Sequence, residues 1–563
     1  MHKILALMGV VALLLAALIW QAAPATTLAQ TDGTPRPPTD YTGNPLPPDR
    51  NEYFAGSGVC AACHTNMTDT LSGKDVSTDT FWRSTMMANA ARDPLFLAGV
   101  RAEVMRNPDY REVIEDKCAT CHMPMVDYTL GAQGQTTALL DEGLLNSENP
   151  HHALAVDGVS CTVCHQIEDV NLGQRESFSG HFSIDTERPA GSRAIYGPFR
   201  AMPRLVSVMQ DASGYTPTFG EHLTRSELCA TCHTLYTPYL NAEGEIAGEF
   251  PEQTPYLEWL NSAYREQQSC QSCHMPATEG RVRLSVTGGP PRSPFAQHYF
   301  VGGNTYVLTL LKKFGEELDV TASREHFAAT ITRTIEQLQN STATVTVQDA
   351  AIAEGELRFA VQVTNLAGHK FPTGYPARRA WLHVVVRDAD GQKVFESGAF
   401  EPNGRILGND NDADPSAYEP HYQTINTPEQ VQIYETIMRT AEDEVTTTLL
   451  RGAGYLKDNR LLPDGFDKEA AEADIAVYGA AADDADFAGG GDTVEYAIAV
   501  GEANGSYTVT VQLLYQSVGY RWVENFRPYD VAEAPEVSRF LRYYDATPNV
   551  PVVVSSQTLT LGN

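Results

Sequence analysis

The sequence predicts an α+β, multidomain chain: a mostly helical and loop-rich segment that holds every cysteine, then an all-β sandwich interrupted by a long acidic insertion. Three observations carry this. All ten Cys fall between residues 60 and 273. After residue 340 the apolar pattern switches to alternation, the signature of half-buried strands. Between those strands, residues 401–492 lose the alternation and hold 20 acidic residues against 6 basic. With 563 residues, 42% of them hydrophobic and 20% charged, the chain has material for more than one core, and a disordered protein is excluded. The net charge is −31, from 71 Asp and Glu against 40 Lys and Arg. Such a surface repels nucleic acid and anionic lipid and favours basic partners.

In chain order, His2 and Lys3 precede an apolar run from Ile4 to Trp20, and small residues stand three and one positions before a cut after Ala29. Residues 1–29 therefore predict an export signal, with an uncleaved anchor as the alternative because the run is long. Membrane contact is expected only through that segment. The Pro-rich residues 30–50 predict an extended linker. Residues 51–340 form the cysteine-bearing domain, with helices expected at 81–91, 94–106, 108–117, 254–268, 304–314 and 323–340. Residues 341–563 form the sandwich, with strands expected at 342–348, 356–365, 380–388, 493–500, 506–516 and 550–561. Runs of this length, divided by turn residues and free of Cys, resemble an immunoglobulin-like domain.

The cysteines occur as five copies of one pentapeptide: Cys60-Ala-Ala-Cys63-His64, Cys118-Ala-Thr-Cys121-His122, Cys161-Thr-Val-Cys164-His165, Cys229-Ala-Thr-Cys232-His233 and Cys270-Gln-Ser-Cys273-His274. Exported chains with an even Cys count ordinarily form disulfides, but this spacing points elsewhere. In Cys-x-x-Cys-His two thiols bond covalently to one haem and the adjoining His ligates its iron. Zinc sites require no His after every second Cys, and an odd number of units leaves one unpaired. Thioredoxin-like pairs need a strand-helix context that is missing here. The expected cofactors are five covalently bound c-type haems, with His64, His122, His165, His233 and His274 as proximal ligands.

On these motifs, on DGVSCTVCHQI (157–167), on CHMP at 121–124 and 273–276, and on HYFVGGN (298–304), the chain resembles the multihaem c-type cytochromes of the cytochrome c552/c554 kind. The likeness continues into the β-domain through NLAGHKFPTGYPARRAW (365–381). It implies electron transfer between redox partners in the periplasm, at the cell surface or outside the cell, with no catalytic residue assigned. Two alternatives remain open: a reductase of nitrite, hydroxylamine or a sulfur oxyanion, and a self-assembling subunit of an extracellular filament.

Each iron has a second axial position whose occupant separates a carrier from a catalyst. The candidate distal ligands are His151, His152, His181, His222, His298 and His369, with Met86 and Met87 offering thioethers close to the first motif. His298 lies in a segment resembling those used for distal ligation in related cytochromes. His369 is framed by Gly368 and a Pro-Thr-Gly turn, which free its loop to approach a flat group closely. Lys370, Arg378 and Arg379 are expected near the propionates. His326, His383 and His421 default to structural roles. Asp410, Asp412 and Asp414 alternate as calcium ligands often do, but the loop lacks the Gly and Glu of an EF-hand.

Overall fold

The protein is described by a computed structural model covering residues 42–501 and 505–562. The expected export signal and most of the linker lie outside the described residues. Among the described residues no helix is long and apolar enough to cross a membrane.

The cysteine-bearing region is built from short helices. The longest of its first half is α1, Pro94–Arg106, where Asp93 caps the N-terminus by accepting from the Leu95 and Phe96 amides and Pro94 starts the first turn. Next, α2, Arg111–His122, runs into the second motif rather than stopping before it. The stretch expected as a helix at 81–91 is helical only over Thr78–Trp82, followed by turns. The helix expected at 254–268 is α3, Pro255–Leu260, followed by a separate 3-10 turn, Ala263–Glu266. Two small sheets went unread in the sequence: β1 (Arg193–Gly197) beside β2 (Tyr215–Phe219) in parallel, and the hairpin of β3 (Leu235–Leu240) with β4 (Ile246–Gln253). Their strands hold Pro217, Pro238 and Pro251 and alternate poorly. Helices α4 (Thr305–Lys313) and α5 (Arg324–Ser341) close the region, the latter through a capping box in which Ser323 and His326 exchange hydrogen bonds.

The alternating runs become strands: β5 (Ala343–Ala353), β6 (Glu356–Asn365), β7 (Arg379–Arg387), β14 (Gly491–Ala499), β15 (Tyr507–Gln516) and β16 (Val552–Leu561). One sheet orders β5-β6-β14 with the two-residue β9 (Thr424–Ile425) at its edge. The other orders β7-β15-β16, with β8 (Lys393–Ser397) and β10 (Ile433–Tyr434) both paired to β7. Their inward side chains, among them Phe359, Val361, Val384, Val494, Tyr496 and Val511, form one buried cluster. Period-two alternation thus delivers its apolar face to a shared core.

Residues 401–492 are woven into this body. They supply β9 and β10 and a small sheet of β11 (Thr436–Arg439), β12 (Val445–Thr446) and β13 (Gly454–Asp458). They also cover the outer face of β7, where Trp381 packs on Ile406, Val431 and Ile433. Between β15 and β16 the chain leaves the sheets to form α6, Pro535–Asp545. This helix shares a core with α1 and α4 and pairs Glu536 with Arg101 at 2.7 Å. The described residues therefore form one contact unit.

Candidate cofactor-binding site

Each motif occupies about one helical turn, in which residues i, i+3 and i+4 share a face, so both thiols and the imidazole project to one side. The His64, His165 and His233 amides donate to the Cys60, Cys161 and Cys229 carbonyls at 3.0, 3.1 and 2.9 Å. None of the ten Cys is in a disulfide, and all are partly buried.

Four of the five motif imidazoles share a tautomer. Nδ1 of His64, His122, His165 and His274 lies 2.6, 2.9, 2.6 and 2.5 Å from the carbonyl oxygens of Leu284, Ala90, Tyr196 and Val301. A carbonyl only accepts, so Nδ1 carries the proton and Nε2 keeps its lone pair, the arrangement of a metal-ligating His held by a backbone acceptor. Burial pushes these rings below the usual His range, to about 4 for His122 and His274. They are neutral, as ligation requires.

All five motifs open on one continuous cavity of about 1530 Å³. Ordinary small-molecule pockets measure roughly 300–1,000 Å³. The cavity is also lined by His298, His369, Met86 and Met87. Two imidazole pairs face each other across it. His165 and His298 have ring centroids 6.4 Å apart and planes 18° from parallel. For His274 and His369 the values are 6.2 Å and 10°. With a metal–nitrogen bond of about 2.0 Å and a ring nitrogen about 1.2 Å from its centroid, two imidazoles trans on one metal have centroids about 6.4 Å apart. The donor set and spacing fit a group ligated from both sides.

The approach of His369 is built by its neighbours. Its Nδ1 lies 2.8 Å from the Lys370 carbonyl, giving the same tautomer as those four motif imidazoles. Glu258, on α3 just before the fifth motif, accepts from the Lys370 amide at 3.1 Å and the Thr373 hydroxyl at 2.6 Å. Asn365 holds the His369 carbonyl at 2.9 Å. A Cβ on Gly368 would stand 3.1 Å from the Tyr264 Cβ, so glycine permits the close approach.

The cationic neighbours lie elsewhere than expected. Lys370 is fully buried and pairs with Asp458 at 2.7 Å, while Arg460 bridges Asp458 and Glu258. Burial would raise the Asp458 carboxyl, but Arg460 and Lys370 outweigh it and hold it at about 2. Arg379 is buried against Asp412 at 2.8 Å. Both cations are consumed inside the sandwich and do not line the cavity. Arg378 does line it and donates to the Thr373 carbonyl at 2.8 Å. Of the alternating acidic trio, Asp412 is thus held by Arg379 and Asp414 by Ser416.

His151, His152, His181 and His222 do not line the cavity. His152 turns Nδ1 to the Leu144 carbonyl at 2.8 Å. His181 is exposed. His222 is reversed: its Nε2 lies 2.8 Å from the Ile167 carbonyl, leaving Nδ1 as its bare nitrogen. His383 sits between Gln512 and Glu396. His421 lies in a buried cluster with Asp484 and Asp492 whose ligand atoms all fall within 4.8 Å of one another. Gln432 and Asn459 both present amide nitrogens to its Nδ1, at 2.8 and 3.1 Å, and their oxygens are taken by the Tyr422 and Glu435 amides. The Nδ1 therefore accepts, and Nε2 carries a proton toward Asp484 at 3.1 Å. That tautomer makes the cluster a hydrogen-bond network rather than a metal centre.

Sequence reasoning missed Glu103, Glu252 and Tyr375, which also line the cavity. They lie far apart in the chain, and no short motif joins them.

No protein-family profile matches the chain, and no curated protein matches it. Among solved structures it is similar to one described as a penta-heme cytochrome c552 from Thermochromatium tepidum, at 16% identity and a TM-score of 0.47, over 86% of this chain and 96% of that one.

Proposed function

We propose that this chain is an exported pentahaem c-type cytochrome that relays electrons between redox partners in the periplasm or at the cell surface. The observation that carries it is the convergence of five Cys-x-x-Cys-His turns on one cavity, with two imidazole pairs at the spacing of trans ligands. Each Cys pair would hold one haem, with the following His as proximal ligand. Bound haem supplies one-electron chemistry. The chain fixes orientation through two thioethers per group and keeps the ligating imidazoles neutral.

Neighbouring motifs adjoin. The thiols of Cys60 and Cys161, of Cys121 and Cys232, and of Cys229 and Cys270 shift one another's titration. Cys164 is also close to Cys229 and Cys232. This supports a connected path running from the first motif through the third and fourth to the fifth, with the second joined at the fourth. The sandwich, immunoglobulin-like in this reading, acts as a cap that lends His369 to the fifth site. The acidic surface suits a basic partner.

Pyridine haemochrome quantification against protein mass tests this. Five haems and no titratable thiol are expected. Mature protein carrying free thiols and fewer than five haems would overturn it.

A further inference from the structure

The chain carries −31 overall, yet two adjoining segments are basic. Residues 198–219 and 280–293 hold Arg200, Arg204, Arg281, Arg283 and Arg292 against a single acidic residue, Asp211. The first segment takes in the helix Pro203–Ser213 and β2, and the second is a loop after the fifth motif. Their contact is direct. Val282 and Arg292 exchange backbone hydrogen bonds at 2.9 and 2.8 Å, Arg292 donates to the Arg200 carbonyl at 3.1 Å, and the Arg200 guanidinium lies 4.6 Å from the Phe219 ring. A Cβ on Gly289 would stand 3.2 Å from Leu205 Cδ1, which sets the loop against the helix that carries Arg204.

These charges are not spent within the chain. Nearby arginines are matched, Arg175 with Glu249, Arg188 with Asp185 and Arg225 with Asp169. Among the described residues none of the five makes an ion pair. Asp69, bridged to Val282 through the backbone, is buried and accepts from the Leu71 amide and the Ser72 hydroxyl at 3.0 and 2.8 Å. Arg200 and Arg292 line the cavity, where haem propionates would take their charge. Arg204, Arg281 and Arg283 do not line it and are exposed. Val282 is fully buried between the last two, so period-two alternation puts both on one outward face. Phe219 and Val286, exposed at 39% and 54%, add apolar surface outside the cavity.

The same segments hold the first and third motifs. His64 Nδ1 meets the Leu284 carbonyl at 2.6 Å, and Val286 donates to the Cys63 carbonyl at 3.0 Å. His165 Nδ1 meets the carbonyl of Tyr196, just before Arg200, at 2.6 Å.

We propose that this basic patch docks an acidic electron-carrying protein at the end of the relay formed by the first and third motifs. This rests on the pentahaem reading. One electron passes between the partner's redox centre and a haem iron, one oxidised as the other is reduced, with no bond made or broken. The acidic surface as a whole steers basic partners. Unpaired guanidinium groups beside exposed apolar side chains instead suit a surface rich in carboxylates.

The test uses full-length haem-loaded protein, with reduced plant-type [2Fe–2S] ferredoxin as the acidic donor and mitochondrial ferricytochrome c as a basic acceptor. Haems are counted first and transfer to cytochrome c is followed alongside, so failure of the electron-relay reading shows itself separately. At an ionic strength of about 0.1 M charges beyond roughly 10 Å are screened, so the patch rather than the net charge governs docking. The second-order rate with ferredoxin should fall as salt is raised from there. Arg204→Glu, Arg281→Glu and Arg283→Glu together should slow it about tenfold, with the haem spectra and the cytochrome c rate unchanged. Arg358→Glu, Arg387→Glu and Lys393→Glu, exposed in the sandwich, make the same change of net charge and should leave the ferredoxin rate within about twofold. A ferredoxin rate that rises with salt would overturn the proposal. So would equal slowing by the two triple variants, or slowing of the ferredoxin and cytochrome c reactions together.

Discussion

The sandwich and the cysteine-bearing region pack their buried side chains differently. Between β5 and β16 inward side chains meet each other: Phe359 stacks on Tyr496 at 5.0 Å, and Val361, Val384, Val494 and Val511 are fully buried in one cluster. Between residues 53 and 300 short helices instead surround a cavity lined by all five motif imidazoles. The sandwich is closed by its own side chains, whereas the cysteine-bearing region ranges its buried cluster, among it Leu97, Ile114, Met125 and Val163, around an open cavity. The strands carry their own apolar contacts, while the motif turns divide theirs between buried clusters, to which Ala119, Val163 and Ala230 belong, and the cavity.

The largest effect is expected when the chain is expressed without c-type haem maturation. Hydrogen exchange should then show residues 53–300 largely unprotected while β6, β7, β14 and β15 keep slow amides. Equal loss in both regions would mean that the cavity region is as self-sufficient as the sandwich, or the sandwich as dependent as the cavity. Next in size is Trp381→Ala. The side chain is fully buried, and its loss should cost about 3–5 kcal/mol in chemical denaturation, without moving the haem absorption bands.

Lys370→Ala addresses the seam between the regions. It leaves Asp458 buried with Arg460 as its remaining cation, for about 3 kcal/mol of destabilisation. Because the Lys370 amide and Thr373 share Glu258 with Arg460, the spectrum of one haem should broaden as the His369 loop loosens. The smallest effect concerns pH. Burial pushes the Asp492 carboxyl from 3.8 up to about 7. The folded chain therefore holds a proton that the unfolded chain has released, and stability from this group falls as pH rises from about 4 to 7. Asp492→Asn should flatten that decline in denaturation curves taken across the window.

Legibility in the sequence followed the same division. Alternation located β6 and β15 to within a residue because both faces of each strand are set by burial alone. The five motif turns were legible because the chemistry fixes their spacing. The helix expected at 81–91 broke into turns because its backbone serves the cavity: the Ala90 carbonyl holds His122 and the Met87 carbonyl accepts from Val159. His369 was singled out by its glycine and turn, yet the roles expected for Lys370 and Arg379 were displaced by Asp458 and Asp412, acidic partners 88 and 33 residues away. The helix α6 was missed because its apolar face answers to α1 and α4, not to the strands on either side of it.

The sandwich completes a site in the other region through His369. This is tested most directly by His369→Ala in the haem-loaded protein, followed by electron paramagnetic resonance and near-infrared magnetic circular dichroism. The haem count should stay at five, while one bis-imidazole low-spin signal disappears and one new high-spin ferric signal takes its place. An unchanged set of low-spin signals would contradict the claim and leave His369 an ordinary loop residue beside His274.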